Sequence, residues 1–213
     1  MIVIKKRYTQ TNLLYRFLLG IINMLKKFVY VIYTLFMFFV SAANAEAKIC
    51  RYELEDFWDK IENNLKQTWN GGTYDLYVPV WTWHNRLFYD KDKIEKYNEE
   101  PWGIGFGVSR YDEDGDWHGL YAMGFKDSNF YLETIFGYAY LKNWELDNDG
   151  DWKGGIGFTA SLTQRHEYSY IPVPLPLPIA GLSYKGMAVQ AAYVPGVKND
   201  GNVLFTWLRF ELN

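Results

Sequence analysis

The sequence predicts an all-β fold: an eight-stranded antiparallel transmembrane β-barrel preceded by an amphipathic α-helix. Three observations predict it. Beyond Gly72 the apolar period changes to two, and eight segments with strand character follow, an even number. Each is about as long as a tilted strand needs to be to cross a bilayer. Aromatic residues make up 19% of the chain, with 9 Trp, 18 Tyr and 14 Phe, more than a soluble core requires. Trp and Tyr gather near the segment ends (Trp81, Trp83, Trp102, Trp117, Trp144, Trp152, Trp207), as in an interfacial aromatic girdle. A soluble eight-stranded ligand-binding barrel would explain the strands but not these aromatic bands.

The N-terminal 45 residues read as a secretory signal peptide. They hold six basic residues and no acid, whereas the remaining body holds 16 basic and 25 acidic residues, a net charge of −9. Met24-Leu-Lys-Lys opens a basic region, and Phe28 to Val40 is a run of 13 nearly all apolar residues. Ala43 and Ala45 then supply the small-x-small spacing of a cleavage site. The run falls short of the roughly 20 residues of a transmembrane helix. Residues 1–23 are an extended n-region, or lie upstream of a start at Met24. The exported chain is then secreted, periplasmic or an outer-membrane barrel. One cysteine, Cys50, excludes a disulfide framework and a cysteine-built zinc site. The acidic body makes a nucleic-acid surface unlikely.

Residues 53–69 follow as a helix, within a segment bounded at 46–72. Leu54, Phe57, Trp58, Ile61, Leu65 and Trp69 fall at helical spacing, and Asn70-Gly71-Gly72 stops the run. Two tryptophans on the stripe suit a membrane interface, although the same stripe would pack on a soluble core. The barrel occupies 73–213, with strands expected near 74–89, 102–112, 117–126, 131–142, 152–164, 170–182, 185–195 and 202–212. Asp112-Glu-Asp-Gly-Asp116 and Asp147-Asn-Asp-Gly-Asp151 are tight acidic turns, while the stretch between Tyr89 and Trp102 is long and charged. Gly103-Ile-Gly105-Phe-Gly107 lies in a strand without a following lysine, so small residues inside a barrel explain it better than a phosphate loop.

One strand breaks the pattern. Pro172, Pro174, Pro176 and Pro178 recur at every second residue, each removing a ladder donor. Because they alternate, the missing N–H groups share one edge, and in hydrocarbon such a gap is expensive unless it is used. A lateral opening for a lipid is one use, and an irregular loop is the other reading. Pro79, inside the first strand, weakens the wall at a second place.

Chemistry concentrates at one rim. The three histidines, His84, His118 and His166, match no zinc-hydrolase spacing, and no G-x-S-x-G elbow exists. No cofactor or metal is expected. His84 ends the first strand, and Asp127-Ser128 follows the third. Both strands run outward if the N-terminus is periplasmic. A base, a hydroxyl and an orienting carboxylate at one rim can perform acyl transfer. Asp127 and Ser128 are adjacent, so both face His84 only if the backbone there is irregular. Arg110, Tyr111, Asp116 and His118 fit ordinary lumen or turn roles.

The segments TYDLYVPVWTWHNRLFYDKDKIEKYNEEPWGIGFGVSRYDEDGDWHGLYAMGFKDS, GIGFTASLT, YIPVPLPLP and YVPGVKNDGNVLFTWLRF resemble the lipid A palmitoyltransferase family of Gram-negative outer membranes, essentially throughout 53–212. The resemblance implies an outer-membrane enzyme, monomeric, moving a palmitoyl or similar chain from a glycerophospholipid donor to lipid A. It implies a functional trio at His84, Asp127 and Ser128. It also implies a donor gate at the proline-rich strand and a lipid A gate near Pro79. The chain departs from the family in ending Phe210-Glu-Leu-Asn213 and in carrying Ala139 within GYAY, where relatives have GYG. If that position is the pocket floor, the extra methyl shortens the acyl preference. A non-catalytic structural or adhesive barrel is the alternative, as is a soluble lipid-binding one.

Overall fold

The computed structural model describes residues 44–212 and isolated positions among 19–34, with side chains in the N-terminal helix from residue 55 onward. The signal peptide expected over 1–45, with its n-region at 1–23, lies almost wholly outside the described residues. Residues up to Glu62 and from Asn63 onward form two compact units.

Helix α1 spans Asn44–Gly71 and so begins upstream of the expected 53. The added turns hold Ala, Glu, Lys and Arg without Gly or Pro, all favourable to helix. In the first unit the Phe57 and Trp58 rings meet edge to face, and Lys60 pairs with Asp56 one turn away. In the second unit Leu65 and Thr68 are buried, and the Gly72 N–H closes the helix on the Thr68 carbonyl at 3.0 Å. Among the described residues no helix is long and apolar enough to cross a membrane, which says nothing of strands.

Eight antiparallel strands close into a barrel in sequential order, as expected: β1 Thr73–His84, β2 Gly103–Tyr111, β3 Trp117–Lys126, β4 Leu132–Glu145, β5 Trp152–Gln164, β6 Val173–Tyr184, β7 Met187–Val194 and β8 Val203–Leu212. β1 stops at His84 rather than 89 because Asn85 begins a turn, its Oδ1 accepting the Leu87 N–H. A single-turn helix α2, Lys91–Ile94, then sits in the β1–β2 connection. β6 starts later than 170 because Ser169 and Tyr170 adopt left-handed backbone, φ 52° and 59°, after a 3-10 turn at His166–Tyr168. Pro172 therefore precedes the strand. Lys185 and Gly186, φ 43° and 81°, make the two-residue reversal into β7, a turn whose twist matches the flanking strands. Three of the four connections at the β1 C-terminal end, 85–102, 165–172 and 195–202, are the longest in the barrel, while 127–131 is short.

The wall is incomplete at two places, both toward that end. β1 pairs with β2 only from Thr73 to Tyr77. Above this, β1 bulges between Pro79 and Trp81 and keeps only its β8 partner. β6 pairs with β5 from Val173 to Trp152's partner Tyr184, yet pairs with β7 only from Ile179 onward. Pro174, Pro176 and Pro178 thus present their missing donors to the open β7 edge. Their rings face outward, while Leu175, Leu177 and Ile179 point inward.

The outer surface carries exposed Tyr74, Trp81, Ile104, Phe106, Trp144, Trp152, Ile156 and Phe158, an apolar coat suited to lipid. Two residues expected in the girdle are not there. Trp117 and Trp207 are buried inside, 2% and 4% exposed. They share strand parity with the inward Tyr121 and Arg209, so the pleat directs them into the bore. The lower bore is filled. Arg209 Nη1 donates to Asp75 Oδ1 at 2.9 Å and to Ser109 Oγ at 3.0 Å, its guanidinium lies over the Trp117 ring, and Trp207 Nε1 donates to Gln190. The glycines of β2 are dictated by packing: a Cβ on Gly103 would strike Phe125, and one on Gly105 would strike Met123.

Candidate active site

The upper bore is a well of about 480 Å³, within the range of small-molecule sites. Its walls are apolar: Met123 and Phe125 from β3, Ile135 from β4, Leu175 and Leu177 from β6, and Phe205 from β8. At the bottom the Tyr121 hydroxyl meets Thr159 Oγ1 at 2.6 Å beside Trp207. Thr159 Oγ1 itself donates to the Tyr138 carbonyl, so Tyr121 is the donor in that pair. The mouth is polar and lies among the longer connections.

At the mouth β1 delivers His84, which is 1% exposed, with its ring stacked on Tyr97 and edge-on to Tyr89. Nε2 lies 3.0 Å from Ser128 Oγ. Nδ1 lies 3.0 Å from Glu99 Oε1. Hydrogen bonds from Arg86 hold the Glu99 carboxyl down at about 2, assisted by the His84 N–H and ring. Glu99 is therefore ionised and only accepts, which places the imidazole proton on Nδ1 and leaves the Nε2 lone pair for the serine O–H.

The structure thus brings His84 and Ser128 together, and keeps Asp127 apart from both reacting atoms. Asp127 Oδ1 accepts the backbone N–H groups of Asn129 and Tyr131, at 2.8 and 2.9 Å. This irregular turn is what lets Ser128 face the well. Asp127 Oδ2 is buried without a hydrogen-bond partner, 3.8 Å from Arg165 Nη2. The carboxylate on the imidazole is Glu99, which the sequence reading passed over within a charged loop. No periodicity marks Glu99. The nearest signal is its place beside Pro101-Trp102, where the loop must return to the barrel.

The remaining expected residues are placed as follows. Ala139 is 2% exposed and pairs with Thr159, one layer behind the floor, and is not itself on the well surface. Pro174 and Pro176 face outward on the strand that flanks the β6–β7 opening, Pro172 lies just before it, and Pro79 borders the β1–β2 opening. His118 is far from the mouth, between the Asp112 carboxylate and the Tyr138 hydroxyl, and His166 stacks on Tyr131. Among the described residues no cluster of His, Cys, Asp and Glu fits a metal ion.

A serine–histidine–carboxylate set above an apolar well in a closed barrel defines the class of the protein: a β-barrel acyltransferase. The chain belongs to the family described as antimicrobial peptide resistance and lipid A acylation protein PagP, whose model matches residues 64–209. A relative named lipid A acyltransferase PagP from Proteus mirabilis is 55% identical over 158 residues, 74% of each chain. Relatives of the same name from Pectobacterium atrosepticum and Serratia proteamaculans are 49% and 53% identical over 173 residues, covering 81% of this chain and 80% and 87% of theirs.

Proposed function

We propose that this chain is a monomeric enzyme of the Gram-negative outer membrane. It moves a palmitoyl or similar-length acyl chain from a glycerophospholipid to lipid A. The observation that carries the reading is the 3.0 Å contact between His84 Nε2 and Ser128 Oγ at the mouth of an apolar well open sideways through the wall. The family and the names of the relatives supply the acceptor.

The donor's acyl tail enters through the β6–β7 opening, where no strand hydrogen bonds need be broken, and extends down the well. Its ester then rests at the mouth beside Ser128. His84 Nε2 takes the Ser128 proton as Oγ bonds to the ester carbonyl carbon. The tetrahedral adduct collapses by breaking the bond to the glycerol oxygen, which leaves with the proton from Nε2. A lipid A hydroxyl, arriving by the β1–β2 opening, then gives its proton to Nε2 and attacks the acyl-serine. Ser128 leaves with that proton, and the acyl chain ends as an ester on lipid A. Asp127 shapes the turn that presents Ser128, in place of the orienting-carboxylate role that the acyl-transfer reading of the rim assigned to it.

The test is mass spectrometry of lipid A from an outer-membrane strain lacking its own enzyme. Expression of this chain adds one long acyl chain to lipid A, and His84→Ala abolishes the addition while the barrel still folds. Unchanged lipid A masses with a folded wild-type barrel would overturn the reading.

A further inference from the structure

Above Tyr77 the β1 strand has lost β2, and the donors on its β2 edge need other partners. One residue supplies them. The Glu99 carbonyl accepts the Thr82 N–H at 2.9 Å, and Glu99 Oε1 accepts the His84 N–H at 3.1 Å. The same Oε1 holds the His84 ring at Nδ1. Arg86 grips both carboxylate oxygens and also donates to the His84 carbonyl at 2.7 Å. The neighbouring Asn98 holds the other half of the pair: its N–H donates to the Ser128 carbonyl at 2.8 Å, and its Nδ2 to the Asp127 carbonyl at 3.3 Å. Two consecutive loop residues therefore fix His84 and Ser128 in register across the mouth.

We propose that Glu99 is the positioning residue of the imidazole, holding its Nδ1–H and its orientation toward Ser128, and that through Glu99 the free upper edge of β1 is tied to the reacting pair. This rests on the acyl-transfer reading above and assigns the carboxylate role to Glu99 rather than Asp127. Orientation of the ring keeps the Nε2 lone pair on the serine, and the fixed negative charge stabilises the imidazolium formed when Ser128 is deprotonated. The charged groups acting most on His84 are Glu99 and Arg86 from the β1–β2 connection and Arg165 from the β5–β6 connection; Lys93, Asp127, Glu133 and Glu167 line the same mouth, and the phenol rings of Tyr89 and Tyr97 cover the imidazole. Of the carboxylates there, Glu99 is the one hydrogen-bonded to the ring.

The experiment compares wild type, Glu99→Gln, Asp127→Asn and His84→Ala, purified in detergent, with a labelled phosphatidylcholine donor and lipid A acceptor. Glu99→Gln is expected to lower kcat by on the order of 10²-fold, to leave the donor KM unchanged, and to move the acid limb of the pH–kcat profile to lower pH. The limb moves because the imidazolium loses its counter-charge. Asp127→Asn leaves that limb where wild type has it. A wild-type kcat and acid limb in Glu99→Gln, with His84→Ala inactive, would overturn the role of Glu99 and leave the acyl-transfer reading intact. Wild-type activity in His84→Ala would overturn both. Should Glu99→Gln fail to form the compact unboiled barrel band on a gel, Arg86→Gln replaces it. Arg86→Gln frees Glu99 from its clamp and removes a cation facing the ring, so a lower kcat with the acid limb moved to higher pH supports the proposal, and unchanged kinetics refute it.

Discussion

The upper and lower halves of the bore are built from the same eight strands and could hardly differ more. Below, every strand is paired on both sides and the interior is filled by Tyr77, Trp117, Trp207 and a buried ion pair between Asp75 and Arg209. Above, the interior is a well, two wall seams lack ladder bonds, and the polar groups cluster at the mouth. The difference teaches where each property resides. Cohesion belongs to the lower half, where a buried charge pair is satisfied by Ser109 and Tyr111 as well as by itself. The proposed chemistry belongs to the upper half, which is free of core packing while the lower half is filled.

The sharpest way to test that division is to damage each half and read both properties. His84→Ala is expected to lower acyl transfer on the order of 10³-fold while leaving the urea midpoint of unfolding in lipid vesicles unchanged. Asp75→Asn works the other way. It strands the Arg209 guanidinium in the bore, which costs about 3–5 kcal/mol of stability, seen as an earlier urea midpoint, with transfer by the still-folded fraction retained. A midpoint shift in the first variant, or none in the second, would erase the contrast.

A smaller effect follows from Glu99. Its carboxyl is held at about 2 against an ordinary value of 4.5. A depressed value means the contribution is fully present above pH 4.5 and is lost as pH falls toward 2. Wild type should therefore exceed Glu99→Gln in stability by about 1 kcal/mol at neutral pH, since Arg86 is half-exposed, and the gap should close between pH 4.5 and 2. Equal stability at neutral pH, or a gap that persists at pH 2, would count against the Arg86–Glu99 pair. The smallest expected change is in chain-length preference. Ala139→Gly removes a methyl from behind the Tyr121–Thr159 floor, so the preferred acyl donor should lengthen by about one carbon. Assays with donors of graded chain length would show it, and an unmoved optimum would place the limit at Tyr121 itself.

Much of the upper and lower architecture was legible beforehand, for physical reasons. A period of two survives in every strand because one face meets side chains and the other meets apolar surroundings, and β3 and β5 match their expected bounds. His84 and Ser128 were legible because they sit just where regular strands end, so topology alone brings them to one rim. Trp117 and Trp207 lie in the bore because strand parity overrides their position near strand ends. Arg209, two residues beyond Trp207, marks that parity, since a charged side chain in mid-strand has to face inward. Glu99 was not legible. Its partner Nδ1 is reached by a loop whose path depends on the Asn98 and Glu99 hydrogen bonds themselves, and nothing in a run of charged residues distinguishes one carboxylate from its neighbours.

The bare glycine inner face of β2 has a consequence for traffic through the wall. Phe125 and Met123, the β3 partners of Gly103 and Gly105, lie against it and line the well on that side. In the proposed reaction a lipid arriving at that seam would meet aromatic and thioether surface instead of a vacant shaft, so its head rather than its tails would reach the lip. On the proposed reaction the two seams are unequal: the β6–β7 seam would take a tail and the β1–β2 seam a hydroxyl, so giver and taker would differ by which part each can put inside.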